Sequence, residues 1–244
     1  ITIVNLDVDF GEPIHEYGMN KFRLHRLPTS QNGKVTGIVG RNGTGKTTAI
    51  GILSGQIIPN LGKLDVLPSY ENVLALFRGK EMGHVFSAIA QKKYSVSIKP
   101  QQVERISSLT NGTIQEILNK INSKRAPSVI RELGLEKIAN RELKNLSGGE
   151  LQKVALAATA LKDAHTYFID EPSSYLDIRE RLRAAGFIRG MVTDEKNVLV
   201  VEHDLVLLDY LSDTIHLMFG IPSVFGVVSS PHPTREGINQ YLEG

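Results

Sequence analysis

The chain of 244 residues carries a formal net charge of +2, with 22% charged and 41% hydrophobic residues, which is typical of a globular protein with a buried core. It contains no cysteine, which excludes disulfides and thiolate metal sites in this sequence. No apolar run approaches the roughly 18 to 20 residues of a membrane helix, and the sequence begins at Ile1 without Met or a leader. We therefore expect a soluble, intracellular protein and a fragment of a longer polypeptide.

The first part of the chain predicts two short strands and two aromatic residues that are candidates for base stacking. Residues 1–9 alternate and are rich in β-branched side chains, and residues 22–27 form the second predicted strand. Tyr17 precedes that strand and Phe22 begins it. A ring here could stack on adenine, a contact worth roughly 1–3 kcal/mol by analogy with other base-stacking side chains. Either ring could instead fill the small sheet.

The sequence GRNGTGKT from Gly40 to Thr47 follows an apolar strand and leads into helix-forming residues, as a phosphate-binding loop requires. Its glycines allow the backbone to wrap around an anion, and the helix start adds free N–H groups. Lys46 would reach the β- and γ-phosphates, and the Thr47 hydroxyl would bind Mg²⁺. A glycine-rich turn that binds nothing is the alternative. The predicted nucleotide-binding residues of the loop are Gly40, Asn42, Gly43, Thr44, Gly45, Lys46, Thr47 and Thr48.

A basic segment follows the loop. Residues 69–93 predict two helices that are split around Gly79 to Gly83, with Ser69 as the N-cap of the first. Ten Lys and Arg but only three Glu lie between Arg78 and Arg131. Such an excess is typical of a surface that binds a phosphate backbone, or of a merely solvated basic face. The basic residues are Arg78, Lys80, Lys92, Lys93, Lys99, Arg105, Lys120, Lys124, Arg125 and Arg131.

The remainder of the chain alternates between strands and helices. Predicted strands cover 95–101, 166–172 and 197–204, and short helices are predicted over 114–121 and 128–133. Ser147-Gly148-Gly149 opens a further helix that continues through 151–161, and its N–H groups and hydroxyl predict a second anion site. This alternation predicts an α/β fold with a mostly parallel sheet, whose ligand lies at the carboxyl ends of the strands.

Three side chains at strand ends carry the predicted chemistry. Asp170 ends an apolar strand and suits the Walker B role of holding hydrated Mg²⁺ beside Thr47. Glu171 follows it and would orient or deprotonate the attacking water, and His203 would contact the γ-phosphate and that water. A solvated acidic pair and a plain surface histidine are the alternatives.

In this order the motifs resemble those of the ABC ATPases over essentially the whole chain. The corresponding segments are Walker A at Gly40 to Thr47, the Q-loop glutamine at Gln101, the LSGGE signature at Leu146 to Glu150, Walker B at Phe168 to Glu171, the D-loop at Ser174 to Asp177 and the switch histidine at His203. The resemblance implies a P-loop NTPase fold of the ABC type, with a RecA-like core, an antiparallel β subdomain and a helical subdomain near residues 102–162.

Further segments resemble the first nucleotide-binding domain of the RNase L inhibitor family of ribosome-recycling factors. They are KPQ at Lys99 to Gln101, DEPSSYLD at Asp170 to Asp177, VVEHDLVLLDYLSD at Val200 to Asp213, FGIPSVFGVV at Phe219 to Val228 and REGIN at Arg235 to Asn239. The resemblance implies that 69–93 is a helix-loop-helix insertion that contacts small-subunit rRNA, and that 220–244 is a hinge-like tail. It also implies that Tyr17 and Phe22 stack on adenine. This chain contains neither the family's cysteine-based iron–sulfur domain nor its second ATPase half.

The resemblance also implies the cofactors and the mechanism. ATP or ADP and Mg²⁺ would be bound, with Mg²⁺ held by Thr47, by Gln101 and, through water, by Asp170. Lys46, Glu171 and His203 would be catalytic, and Ser147, Gly148 and Gly149 would serve the nucleotide of the opposite half in trans. ATP-driven closure of two halves would split ribosomal subunits in the cytoplasm, and an isolated half would hydrolyse ATP weakly. The implied partners are the second half, the small subunit with its rRNA, and release or initiation factors.

Three other interpretations differ in kind. The chain could be the ATPase subunit of a membrane transporter, with Gln101 near a coupling groove, although the segments 69–93 and 220–244 argue against it. A coiled-coil DNA-repair ATPase is disfavoured because no long heptad region separates Walker A from the signature. A ribosome-binding module that uses its nucleotide only as a switch is disfavoured by the presence of Glu171 and His203.

Overall fold

The computed structural model describes residues 10–104 and 111–243. The strand predicted over 1–9 and the basic residue Arg105 lie outside these ranges. The described residues fall into two compact units. The first unit comprises 10–28, 40–91 and 218–229, and the second comprises 29–39, 92–104, 111–217 and 230–243.

Strands and helices are interspersed along the chain, and they alternate one by one over residues 166–221. The strands are β1 (His15–Glu16), β2 (Arg23–His25), β3 (Val35–Gly40), β4 (Val96–Lys99), β5 (Thr166–Asp170), β6 (Asn197–Val201), β7 (Thr214–Ile221), β8 (Phe225–Val228) and β9 (His232–Pro233). The helices are α1 (Lys46–Leu53), α2 (Tyr70–Leu76), α3 (Glu81–Ala90), α4 (Ile114–Asn122), α5 (Ala126–Glu132), α6 (Gly148–Leu161), α7 (Ile178–Arg189), α8 (Leu205–Leu211) and α9 (Thr234–Glu243). Short 3₁₀ turns cover Glu136–Ile138 and Leu143–Asn145.

A parallel sheet forms the centre of the second unit. Its strands pair in the order β3–β6–β5–β4, each parallel to the next. Every residue of β3 and β6 is buried, because helices cover both faces of such a sheet. The α/β fold predicted from the sequence is therefore confirmed. The carboxyl ends of β4, β5 and β6 lie at one edge of the sheet, where Lys99 pairs with Ile169 and Asp170 pairs with Val201.

Helices α4, α5 and α6 pack together in the same unit through a core that includes Leu118, Val129 and Val154. Local signals set where two of these helices begin. Helix α5 begins at Ala126 rather than Ser128, because a proline in the first helical turn needs no N–H partner. Helix α6 begins at Gly148, because Ser147 caps it.

The first unit contains a small sheet. Strand β1 pairs antiparallel with β2, and residues 218–221 of β7 pair antiparallel with β8. Strand β2 pairs with β8 in parallel, so the sheet is mixed rather than wholly antiparallel as expected. A parallel pair needs a long connection, and these two strands are separated by most of the chain.

The same unit contains the helical pair α2–α3, which lies within the segment 69–93. Ser69 caps α2 by accepting a hydrogen bond from the Asn72 N–H at 3.4 Å, as predicted. The rings of Phe77 and Phe86 pack with centroids 5.1 Å apart, and Val73 is buried beside them. Across residues 10–104 and 111–243, no helix combines the length and the apolar character that crossing a membrane requires.

Candidate functional site

The phosphate loop leaves the end of β3 and enters α1, where the side chain of Lys46 folds back onto the loop. Its ammonium donates to the Gly40 carbonyl at 2.7 Å, the Arg41 carbonyl at 3.0 Å and Asn42 Oδ1 at 3.3 Å. Lys46 is nearly buried by these contacts. Because the Asn42 contact is the longest of the three, we expect an anion in the loop to replace it while the carbonyl bonds persist.

The glycines of the loop are required by packing as well as by the anion. Gly45 has φ of +97°, and a Cβ there would lie 2.5 Å from Cζ of Phe22. A Cβ on Gly40 would overlap the Met218 carbonyl oxygen. Gly43 has φ of +80° and its carbonyl accepts a hydrogen bond from the Ser223 N–H at 3.0 Å. The loop is therefore held in its wrapped conformation by the small sheet of the first unit.

The three threonines next to Lys46 differ in what their hydroxyls can reach. Thr44 is buried, and its hydroxyl donates to the Arg41 carbonyl at 2.7 Å. Thr48 is also buried, with its hydroxyl 3.3 Å from the Tyr17 hydroxyl. Thr47 is exposed at the start of α1. Of these three hydroxyls, that of Thr47 is on the exposed residue, and Thr47 is the residue that the sequence predicts as a Mg²⁺ ligand.

The two candidate adenine platforms have different surroundings. The Tyr17 side chain is 50% exposed, is tethered to Thr48 and packs edge-on against His15 with ring centroids 4.7 Å apart. Phe22 is partly buried, and its ring edge fills the space beside Gly45 and Gly226. Tyr17 is therefore half exposed next to the loop, whereas Phe22 packs against the loop itself.

In the second unit, the predicted amide of Gln101 and the predicted imidazole of His203 lie beside the carboxylate of Glu171. Glu171 Oε1 accepts a hydrogen bond from Gln101 Nε2 at 2.8 Å and lies 3.5 Å from His203 Nε2. Glu171 Oε2 accepts a hydrogen bond from the Ser174 hydroxyl at 3.2 Å. Asp170 precedes it at the end of β5. The arrangement can hold a water molecule beside a carboxylate that an amide and an imidazole keep in place.

The strand ends differ from the sequence prediction. Strand β5 ends at Asp170, and Glu171 follows in a left-handed conformation with φ of +46°. Strand β6 ends at Val201, two residues before His203. Both predicted strands were too long, because the polar residues at their ends make turns that bring side chains over the sheet edge.

Two buried charged residues at this edge were missed by the sequence reasoning. Lys99 was counted with the basic surface but is fully buried, and its ammonium binds backbone carbonyls at the end of β5. Glu202 is 2% exposed and accepts hydrogen bonds from the N–H groups of His203 at 2.7 Å, Asp204 at 3.1 Å and Ser173 at 3.3 Å. The sequence does contain a signal for the burial of Lys99. Side chains alternate between the two faces of β4, which puts Lys99 on the same face as the buried Ser97.

The signature segment starts α6 with a capping box. The Ser147 hydroxyl accepts from the Glu150 N–H at 3.3 Å and donates to Glu150 Oε2, which also accepts from the Ser147 N–H at 2.8 Å. A Cβ on Gly148 would lie 3.1 Å from Cγ of Tyr175, and one on Gly149 would lie 2.7 Å from the Tyr175 carbonyl oxygen. Ser147 is exposed, so this helix start is open to a ligand.

The basic residues of the segment 69–93 are all exposed. Arg78 and Lys80 lie between α2 and α3, and the Lys80 ammonium is 5.6 Å from the centroid of the Phe77 ring. Lys92 and Lys93 follow α3. These four residues carry the positive charge that the sequence assigned to the segment.

Comparison with known proteins identifies the family. Residues 28–174 match the family described as ABC transporter. The yeast (Saccharomyces cerevisiae) protein "Translation initiation factor RLI1" is 42% identical over 251 residues, which cover 100% of this chain and 41% of that protein.

Two solved structures are similar at 48% identity and a TM-score of 0.90 each, and each comparison covers 96% of this chain and 45% of the other. One is described as "RNase-L Inhibitor", and the other as the complex of archaeal ribosomal stalk protein aP1 and archaeal ribosome recycling factor aABCE1. The chain spans about two fifths of the length of the curated relatives that it matches from end to end. It belongs to the ABC family, and along nearly its whole length it is similar to the RNase L inhibitor proteins.

Proposed function

We propose that this chain binds Mg-ATP and hydrolyses it as one ATPase half of a ribosome-recycling factor. The observation that carries the proposal is the contact of Glu171 with both Gln101 and His203, in an ABC-family chain with a complete phosphate loop. Hydrolysis requires that the phosphate-binding and water-activating residues serve the same nucleotide.

In this proposal the phosphate loop holds the nucleotide by its charge and its N–H groups. Lys46 binds the β- and γ-phosphates, and the N–H groups at the start of α1 bind the phosphate oxygens. Mg²⁺, which would neutralise charge on the phosphates, would be held by the exposed Thr47 hydroxyl, by Gln101 and, through water, by Asp170. Oxygen donors of this kind suit Mg²⁺, which keeps several of its waters.

Glu171 is the proposed general base. Its carboxylate would accept a proton from the attacking water while Gln101 and Ser174 keep it oriented. His203, 3.5 Å from the same carboxylate, would hold the water and the γ-phosphate oxygen in line.

Tyr17 is the proposed adenine platform because half of its side chain is exposed beside the loop. Phe22 is the weaker candidate because it packs against Gly45. The open helix start at Ser147, Gly148 and Gly149 suits a γ-phosphate supplied by another ATPase half. An isolated half would then hydrolyse ATP slowly, because it lacks the donors of the second half.

The ribosomal part of the proposal comes from the relatives. Their names refer to translation initiation, ribosome recycling and a ribosomal stalk protein. The exposed basic residues of 69–93 suit small-subunit rRNA, and 220–244 would connect to the second half. Release or initiation factors would be further partners, and the cytoplasm the compartment. The transporter alternative is less well supported, because relatives similar along the whole chain include proteins named as translation initiation factors.

The test is ATP hydrolysis by the full-length protein that contains this chain, with its other half inactivated. Glu171→Gln should lower phosphate release by about 10²- to 10⁴-fold, the range expected for loss of a general base, while ATP affinity is kept. Glu142→Gln removes an exposed carboxylate that pairs with Lys144 at 2.6 Å and serves as the matched control. Full turnover in Glu171→Gln would contradict the proposal.

A further inference from the structure

Lys99 is a buried lysine whose ammonium binds backbone oxygens. It ends β4 with no exposed surface. Its Nζ donates to the Asp170 carbonyl at 2.7 Å, to its neighbour Pro100 at 3.2 Å and to the Glu171 carbonyl at 3.4 Å. A buried charge is costly unless its donors are satisfied, and these three oxygens satisfy them. Burial lowers the pKa of Lys99 to about 8, which the nearby carboxylates of Asp170, Glu171 and Glu202 partly oppose.

Two of the carbonyls that Lys99 binds, those of Asp170 and Glu171, belong to the peptide planes on either side of the Glu171 Cα. The Asp170 carbonyl lies in the plane before it, and the Glu171 carbonyl lies in the plane after it. The first plane is also fixed by its N–H, which Glu171 donates to the Val201 carbonyl at 2.8 Å. The second plane has no N–H, because the next residue is Pro172. The Glu171 carbonyl is therefore the hydrogen-bonding group of this second plane, and Lys99 donates to it.

The backbone of Glu171 needs such a restraint. Its φ of +46° is unfavourable for a residue with a side chain and persists only where the surroundings determine it. One ammonium that binds both flanking carbonyls sets the φ and ψ of Glu171, and these angles decide where its carboxylate points.

We infer that Lys99 is a positioning residue for the hydrolytic carboxylate, acting on the Glu171 backbone as Gln101 acts on its side chain. Strand β4 and the two residues after it thus supply both restraints. The inference rests on the proposed function, because it assigns Lys99 a role in the reaction that Glu171 is proposed to catalyse.

The first test compares Lys99→Met with Lys153→Met in the full-length protein with its other half inactivated. Methionine is similar in length and apolar but has no donor. Lys153 is also nearly buried but pairs with a carboxylate, Glu180, at 2.9 Å rather than with the Glu171 backbone, so it controls for loss of a buried ammonium. Lys99→Met should lower kcat about 10- to 100-fold, the scale of loss from a misplaced reacting group, with ATP affinity within about twofold of wild type. Lys153→Met should keep kcat.

The second test asks whether Lys99 acts through Glu171. In a Glu171→Gln background, Lys99→Met should cause no more than about a twofold further loss, because residues that act as a unit are not additive. An equal loss in both backgrounds, a parallel loss of ATP affinity, or unchanged kcat in Lys99→Met would overturn the inference. Lys99→Gln keeps an N–H donor and should recover part of the kcat, which supplies a second readout if Lys99→Met does not fold.

The outcomes separate this inference from the proposed function. A wild type without ATP turnover overturns both, whereas a wild type that turns over with an equally active Lys99→Met variant overturns only the role of Lys99.

Discussion

A methyl group at Gly45 would meet two obstacles in the phosphate loop. The backbone has φ of +97°, and the added Cβ would lie 2.5 Å from the Phe22 ring. We expect Gly45→Ala to lower the free energy of unfolding by about 1–3 kcal/mol, measured by urea denaturation. Phe22→Leu in the same chain should relieve the steric overlap and leave only the backbone strain.

Gly186 is the matched control for this substitution. It lies within α7, and a Cβ there would have no atom within 4 Å. Gly186→Ala should stabilise the chain by about 0.5–1 kcal/mol, because alanine favours the helix. If both substitutions had the same effect, the packing explanation for Gly45 would be wrong.

The half-exposed ring of Tyr17 predicts a base-specific effect on nucleotide affinity. Tyr17→Ala should weaken ATP binding by about 1–3 kcal/mol through loss of stacking, and Tyr17→Phe should keep most of it. Binding of tripolyphosphate, which has no base, should be the same in all three proteins when measured by calorimetry. A loss of tripolyphosphate affinity would indicate instead that Tyr17 supports the loop through Thr48.

Helices α4 and α6 each begin with a capping box. The box of α4 lies outside the signature, whereas the box of α6 lies within it. Thr113 pairs with Glu116 in the first, and Ser147 pairs with Glu150 in the second. We expect Thr113→Ala and Ser147→Ala each to lower the free energy of unfolding by about 1 kcal/mol in urea titrations. Only Ser147→Ala should also lower ATP turnover of the full-length protein. Equal turnover in the two variants would remove Ser147 from the nucleotide site.

The capping box at the start of α6 predicts that the stability of the protein depends on pH. The Ser147 N–H, as the main cause, lowers the pKa of Glu150 from its usual 4.5. A carboxyl whose pKa falls on folding stabilises the protein above its unfolded pKa and loses that contribution as the pH falls through the folded pKa. The stability difference between wild type and Glu150→Gln should therefore be present above pH 4.5 and shrink below it. A constant difference down to about pH 2 would contradict this assignment.

The elements that carry local signals were predictable, and those that depend on distant contacts were not. Strands β5 and β6 and the capped start of α6 follow from runs of apolar residues and from the Ser147 cap. The left-handed turn at Glu171 and the burial of Lys99 depend on bonds across neighbouring strands, which a linear pattern does not contain. The mixed pairing of the small sheet has the same origin.

At the scale of the whole molecule, the proposed contact with rRNA depends on where the positive charge lies on the surface. The net charge is only +2, so any attraction must come from local clusters. Within the described part of the basic span, two exposed clusters remain once buried Lys99 is set apart. One is Arg78, Lys80, Lys92 and Lys93 within 69–93, and the other is Lys120, Lys124, Arg125 and Arg131 on and between α4 and α5. Only the first belongs to the segment proposed to contact rRNA.

The most direct test is binding of the full-length protein to small ribosomal subunits over a salt series. Changing Arg78, Lys80, Lys92 and Lys93 to Ala should weaken binding and reduce the slope of log K against log salt by roughly 0.7–0.9 for each phosphate that the variant no longer neutralises. The charge-matched change of Lys120, Lys124, Arg125 and Arg131 to Ala should leave the slope near that of wild type. Equally weakened binding in the two variants, or unchanged binding in the first, would contradict the assignment of 69–93 as the ribosome-binding segment.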